Sequence, residues 1–286
     1  MTTIALAVLT GIVVLLGGNL PWVALLTPLN LRVGTVAPWA VLPMAIYLWC
    51  YWKYIGGSWG SKATAGKRRA NLRANLLSAE VWGASLAAGL LGFAAIGAML
   101  VLMSRLVKLP ESAPVTTPTG MPAITAFVLL VMSSVVAGVT EEAAFRGYMQ
   151  GPIERRYGLA VAILVNGTVF GLLHFPNHPA DVWMMLPYYI AVSAAYGGLT
   201  WATNSILPAL ALHSGGDVWS LGRLWLTGRP EWQLSPAPSK LIWETGVDAG
   251  FMLSAAAFVV LAGLTWWAFV AVHSLGPTSG GSENIW

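Results

Sequence analysis

Charge is what this chain has least of. Only 9% of its 286 residues are Asp, Glu, Lys or Arg, against roughly 25% in a soluble globular domain, while 57% are hydrophobic and the mean hydropathy is +0.69. That scarcity argues against a conventional soluble core and for a polytopic membrane protein. Cysteine is almost absent: Cys50 stands alone in the apolar run YLWCYW, which excludes a disulfide framework and a cysteine metal site. No acidic residue precedes Glu80, whereas Lys53, Lys62, Lys67, Arg68, Arg69 and Arg73 crowd one stretch. A basic loop between apolar spans is the positive-inside signal, with anionic lipid as its natural contact, so no nucleic-acid partner is expected. The opening run MTTIALAVLTGIVVLLGGNLPWVALL also lacks Lys and Arg, and reads as a retained first span rather than a cleaved signal peptide.

What is abundant fits the same class. The chain has 15 Trp, which anchor at the headgroup level, and 31 Gly, which let membrane helices approach closely. A span needs about 20 apolar residues. The apolar runs predict an all-α bundle of about eight transmembrane helices, at 4–27, 36–55, 80–107, 122–155, 158–176, 182–203, 206–222 and 250–273, with the active site inside the bundle. We read residues 1–286 as one transmembrane domain: N-terminal spans and the basic loop over 1–120, a motif-bearing core over 121–225, and a loop, last span and short polar tail over 226–286. Placing the basic loop in the cytoplasm puts both termini there, together with Arg155 and Arg156. Pro21, Pro38, Pro43 and Pro208 start or kink helices, which a bundle tolerates where neighbours satisfy the freed backbone.

An ionisable side chain in a membrane helix costs about 2.5–3.5 kcal/mol on insertion scales, so each one asks for a partner or a purpose. Three groups stand out: Glu141, Glu142 and Arg146 in VTEEAAFRGYMQ; His174 in NGTVFGLLHFPNH; and His213 with Asp217 in SILPALALHSGGDVW. On a helix Glu142 and Arg146 are i,i+4 neighbours that form an ion pair, and Glu141 points about 100° away, without that partner. The pair holds the helix in place. An unpaired carboxylate in a low-dielectric cavity has the makings of a general base. Phe170 and His174 share a face, as do His213 and Asp217. With Glu141 they offer a base, two imidazoles and a further oxygen, enough either to hold a divalent metal or to position water and polarise a carbonyl.

Depth tests whether these groups meet. From the corner at 155–157, Glu141 lies about 21 Å back along one helix and His174 about 25 Å along the next. His213 lies only about 10 Å from the next turn near Asn204, so a kink at Pro208 or a tilted or recessed helix is required.

The motifs Glu-Glu-x-x-x-Arg (EEAAFR), Phe-x-x-x-His (FGLLH) and His-x-x-x-Asn/Asp (HSGGD) occur in this order over roughly residues 125–225. In them the chain resembles the CPBP, or ABI, family of intramembrane proteases, which includes the type II CAAX prenyl endopeptidases. The resemblance implies an endopeptidase acting on a membrane-associated or lipidated peptide or protein through glutamate- and histidine-activated water. It implies Glu141 as the base, His174 as its companion, and His213 and Asp217 at positions that stabilise the oxyanion or bind metal. Glu142, Arg146 and Phe170 match supporting positions. Any metal, zinc first, would fall to His174, His213 and Asp217; otherwise no cofactor is expected. Asp217 suits metal binding or orientation of His213 better than oxyanion donation, which it manages only when protonated.

Other intramembrane protease chemistries fit less well: the chain has no His-Glu-x-x-His, no Gly-x-Ser-Gly, and SGGD lacks the first glycine of Gly-x-Gly-Asp. The competing class is non-proteolytic, either an immunity-like scaffold or a proton-coupled transporter, since Glu and His chains also carry protons. Nothing in the sequence sets an oligomeric state or a substrate sequence.

Overall fold

The computed structural model describes residues 3–110, 120–174, 182–234 and 239–275; the polar tail from 276 on, and the junction between the apolar runs 158–176 and 182–203, lie outside them. The described residues form an all-α bundle, and among them only four helices, not about eight, are long and apolar enough to cross a membrane: Thr3–Val33, Ala79–Leu106, Ala123–Tyr157 and Ala249–Leu275. The reason is partly length. Helices α3 (Val41–Ile55) and α8 (Leu159–Leu173) have 15 residues each, about 22 Å of rise against about 30 Å of hydrocarbon. Helices α9 (Val182–Thr203) and α10 (Leu207–Thr227) are longer, but α9 carries Pro187, three tyrosines and a glycine pair, and α10 carries His213, Asp217 and Arg223. The sequence reading counted apolar runs as spans; several of them are bundle helices with polar work to do.

The first long helix runs from α1 (Thr3–Leu20) through a π-helical turn at Pro21–Leu26 into α2 (Thr27–Val33). Pro21 has no N–H to give to the carbonyl four residues back, that of Gly17. Tyr47 on α3 donates its hydroxyl to that carbonyl, so the freed acceptor is satisfied and the helix continues. The end of α2 is stitched to the start of α3 by Asn30, which is fully buried. Its Nδ2 donates to the Gly34 and Ala37 carbonyls at 2.9 and 3.1 Å, and its Oδ1 accepts from Ala40 N–H at 2.9 Å.

A short basic helix, α4 (Lys62–Leu72), leads to α5 (Ala79–Leu106), which Ser78 caps by accepting from Val81 N–H. After α6 (Ala123–Glu141) the helix widens into a second π-helical segment, Glu142–Gln150, and closes as α7 (Gly151–Tyr157). A short turn, α11 (Ile242–Thr245), precedes α12 (Ala249–Leu275). Asp248 opens α12 by accepting from Phe251 N–H, and the Arg105 guanidinium, with that backbone bond, holds its carboxyl below the usual carboxylate range. Helix α5 packs chiefly on α12, α8 on α9, and α10 on α6. Outward-facing Val13, Leu42, Ile46, Val259 and Trp267 are all more than half exposed, an apolar surface suited to lipid.

Arg73 corrects the reading of the basic stretch. It is 8% exposed and takes a left-handed conformation, φ 55°, at the end of α4. Its guanidinium bonds Asn204 Oδ1, Glu154 Oε2 and the Thr200 carbonyl at 3.2, 3.1 and 3.3 Å, and its own carbonyl accepts from Ile206 N–H at 2.9 Å. Arg73 is therefore a clasp tying the basic segment to the turns that end α7 and α9, and not a free surface charge. Both described ends of the chain lie at this end of the bundle. Ala7 packs in one cluster with Met149 and Ile153, and His273 stacks on Trp201 of α9 with centroids 4.5 Å apart.

Candidate catalytic site

The site begins where α6 stops being an ordinary helix. Glu141 is its last residue, and every residue of the π-helical segment Glu142–Gln150 is buried. Such widened turns are frequent at functional sites. Glu142 Oε1 lies 3.3 Å from Arg146 Nη1, with neither side chain exposed. No guanidinium nitrogen of Arg146 has a hydrogen-bond partner among the described residues. Instead the cation lies 5.0, 5.7 and 5.8 Å from the ring centres of Tyr196, Phe170 and Phe145. Arg146 is held by Coulomb attraction to one carboxylate and by aromatic faces.

The second partner of Glu142 is His213, whose Nδ1 is 2.7 Å from Glu142 Oε1. A carboxylate only accepts, so Nδ1 carries a proton. Nε2 is left facing two further carboxylates, Glu141 Oε2 and Asp217 Oδ2, each at 3.7 Å, beyond hydrogen-bond length. Glu141 is the more accessible of the two glutamates, its side chain 15% exposed. No kink brings His213 to this depth: Pro208 opens α10, in its first turn. The approach depends on Gly138 of α6, where an added Cβ would lie 2.1 Å from Ser214 Oγ and 3.0 Å from Ser214 N. Gly138→Ala is accordingly expected to push α10 off α6 and lower turnover by about 10- to 100-fold. Ser214→Gly in the same chain should restore part of it, as a kcat comparison of the two variants would show; unchanged kcat in Gly138→Ala would refute the close-packing account.

His174 follows the last residue of α8. Its Nδ1 pairs with the Phe170 carbonyl at 2.8 Å, so that nitrogen is the donor and Nε2 the nitrogen that no described residue engages. Both histidines rest on tyrosines of α9. His174 stacks on Tyr189 and His213 on Tyr196, each pair with centroids 4.9 Å apart and planes 30° and 10° apart respectively. Glu141, His174, His213 and Asp217 all line one cavity of about 890 Å³.

The structure thus gathers Glu141, Glu142 and Asp217 around the imidazole of His213, and places His174 on the same cavity wall with no hydrogen bond or ion pair to them among the described residues. Glu142 does more than pair with Arg146, since it also fixes His213. Phe170 contributes a backbone acceptor as well as an edge-on ring 4.5 Å from His174. The metal set of His174, His213 and Asp217 does not form: among the described residues no group of three or more His, Cys, Asp or Glu is arranged to hold a metal ion. His213 gives Nδ1 to a carboxylate and turns Nε2 toward two others, and His174 has one nitrogen committed to a carbonyl. Sequence reasoning missed Tyr189 and Tyr196, whose spacing of seven residues, two helical turns, was the available signal. It also passed over Gln150, which bonds Glu154 Oε2 and the Gly197 carbonyl at 2.9 Å each, and Glu231, treated below.

Comparison with known families places these residues in context. Residues 123–219, from the start of α6 to just past Asp217, match a Rce1-like domain, described as type II CAAX prenyl endopeptidase Rce1-like. No curated protein and no solved structure matches the chain.

Proposed function

We propose that the protein is an endopeptidase working within the membrane, which hydrolyses a peptide bond of a membrane-associated or lipidated substrate. The observation that carries this reading is the convergence of Glu141 and His213 Nε2 at 3.7 Å on the wall of the large cavity. Glu142 fixes the imidazole from behind. In this mechanism Glu141 takes a proton from water as its oxygen adds to the carbonyl carbon. His174 Nε2 accepts the water's other hydrogen and aligns it. His213, carrying a second proton on Nε2, donates to the oxygen that gains negative charge. Asp217, one turn away on α10, favours that imidazolium. When the C–N bond breaks, Glu141 hands its proton to the departing amine. Every step of this mechanism is carried by the chain's own side chains. The matched family description names a prenylated substrate, and a lipidated peptide is compatible with a cavity whose walls are mainly apolar. The end of the bundle that carries the basic segment, Arg155, Arg156 and both described chain ends would face the cytoplasm by the positive-inside rule.

The test is product formation. Reconstituted protein incubated with apolar and lipidated peptides in ¹⁸O-labelled water should release fragments with one label in each new carboxyl terminus, read by mass spectrometry. Absence of fragments together with uptake driven by a pH gradient would replace the peptidase by a transporter.

A further inference from the structure

The cavity is lined by Glu141, Asp217 and Glu231 and by no lysine or arginine, and its one imidazolium, His213, is taken up by Glu141, Glu142 and Asp217. Beyond Asp217 its wall includes Glu231, in the segment that follows α10. Glu231 Oε1 accepts from the Tyr188 hydroxyl at 3.1 Å and Oε2 from the Ser220 hydroxyl at 2.8 Å. Both donors are neutral, and among the described residues no ion pair reaches this carboxylate. The segment is pinned: Arg223 donates to the Pro230 and Gln233 carbonyls, and Trp232 Nε1 to the Pro110 carbonyl at 2.8 Å. All 15 lysines and arginines of the chain lie among the described residues, and none lines the cavity. Arg146, the nearest below the site, is fully buried against Glu142. A carboxylate held rigid by neutral hydroxyls, in a cavity with aromatic walls, no lysine or arginine, and a His213 imidazolium already engaged by other carboxylates, is complementary to a positive charge supplied from outside.

We infer that Glu231 is a specificity-determining residue that receives a cationic group of the substrate, a lysine or arginine side chain, at a fixed distance from the bond being cut; this rests on the peptidase reading. The distance follows from α10. Ser220, which holds Glu231, is seven residues from His213, about 10 Å along the helix. An extended peptide covers that in about three residues. The substrate is therefore an apolar segment with a basic residue about three positions from the scissile bond. A substrate whose free C-terminal carboxylate had to lie against Glu231 is disfavoured, because like charges repel and no lysine or arginine lines the cavity.

A lysine scan tests this. Fluorescent apolar octapeptides, each with one lysine moved along the chain, and the corresponding glutamine peptides are bound to Glu141→Gln protein in nanodiscs, so that affinity is read without turnover. At one or two registers lysine should tighten binding by about tenfold or more over glutamine. Glu231→Gln, which keeps an acceptor for one hydroxyl and offers an amide N–H to the other, should erase that preference, and Glu231→Lys should turn it toward glutamate peptides. Equal binding of lysine and glutamine peptides at every register, already readable without any change at 231, would overturn the inference, as would a lysine preference that survives Glu231→Gln. The two readings fail separately. A Glu231-dependent lysine preference without cleavage by the wild type removes the peptidase and keeps the cation site, whereas cleavage indifferent to lysine removes the cation site and keeps the peptidase.

Discussion

Glu141→Gln is expected to lower hydrolysis by about 100- to 10,000-fold while leaving the fold intact. Glutamine has the same shape and one oxygen in the same place, but it cannot take a proton from water. The folded state should hardly register the change, because among the described residues the Glu141 side chain makes no hydrogen bond and approaches one charged partner, His213 Nε2, at 3.7 Å. The measurement is cleavage rate beside thermal unfolding in the same detergent or nanodisc. Activity within tenfold of wild type would remove Glu141 as the base. An inactive variant that also unfolded early would show that the carboxylate's role is structural.

Glu142 should behave in the opposite way, with stability lost first. It is fully buried and is the carboxylate facing both Arg146 and His213. Glu142→Leu leaves the Arg146 charge in the protein interior with aromatic faces alone, a loss of about 3–5 kcal/mol. Adding Arg146→Met removes the stranded charge with little change in volume, so the double variant should recover most of that loss. Hydrolysis should stay low even in the recovered protein, since His213 no longer has the acceptor that sets its tautomer. Unfolding temperatures of the two singles and the double, with activity measured on each, give the answer. If the double were as unstable as the two singles added together, Glu142 and Arg146 would not be coupled, and the ion pair would have to be abandoned as the source of stability.

These two glutamates are adjacent, and how far the sequence distinguishes them shows what such a reading can reach. Helical spacing is local, so the i,i+4 relation of Glu142 to Arg146, and of His213 to Asp217, is legible from residue numbers. The all-α class is legible too, because low charge and long apolar runs follow from the solvent the chain must face. The number of spans was not. An apolar run of 15 residues reads much like one of 20, and whether α3 or α8 crosses the hydrocarbon depends on its length after its ends are set by contacts elsewhere. The basic stretch misled in the same manner. Arg73 resembles its neighbours Arg68 and Arg69 in sequence, but its guanidinium is buried by residues 81 to 131 positions away.

What the sequence determined by itself, then, is the helical class, the membrane-suited composition, and which polar residues share a helical face. Each of these follows from the chain's own periodicity and composition. Tertiary structure decided that Glu142 serves His213 as well as Arg146, and that the two histidines each rest on a tyrosine of α9. It also decided that Glu231 joins the same cavity. These depend on how closely α10 approaches α6 at Gly138 and on how α9 packs against α10. Such distances are set by packing between helices, and no spacing within one helix contains them.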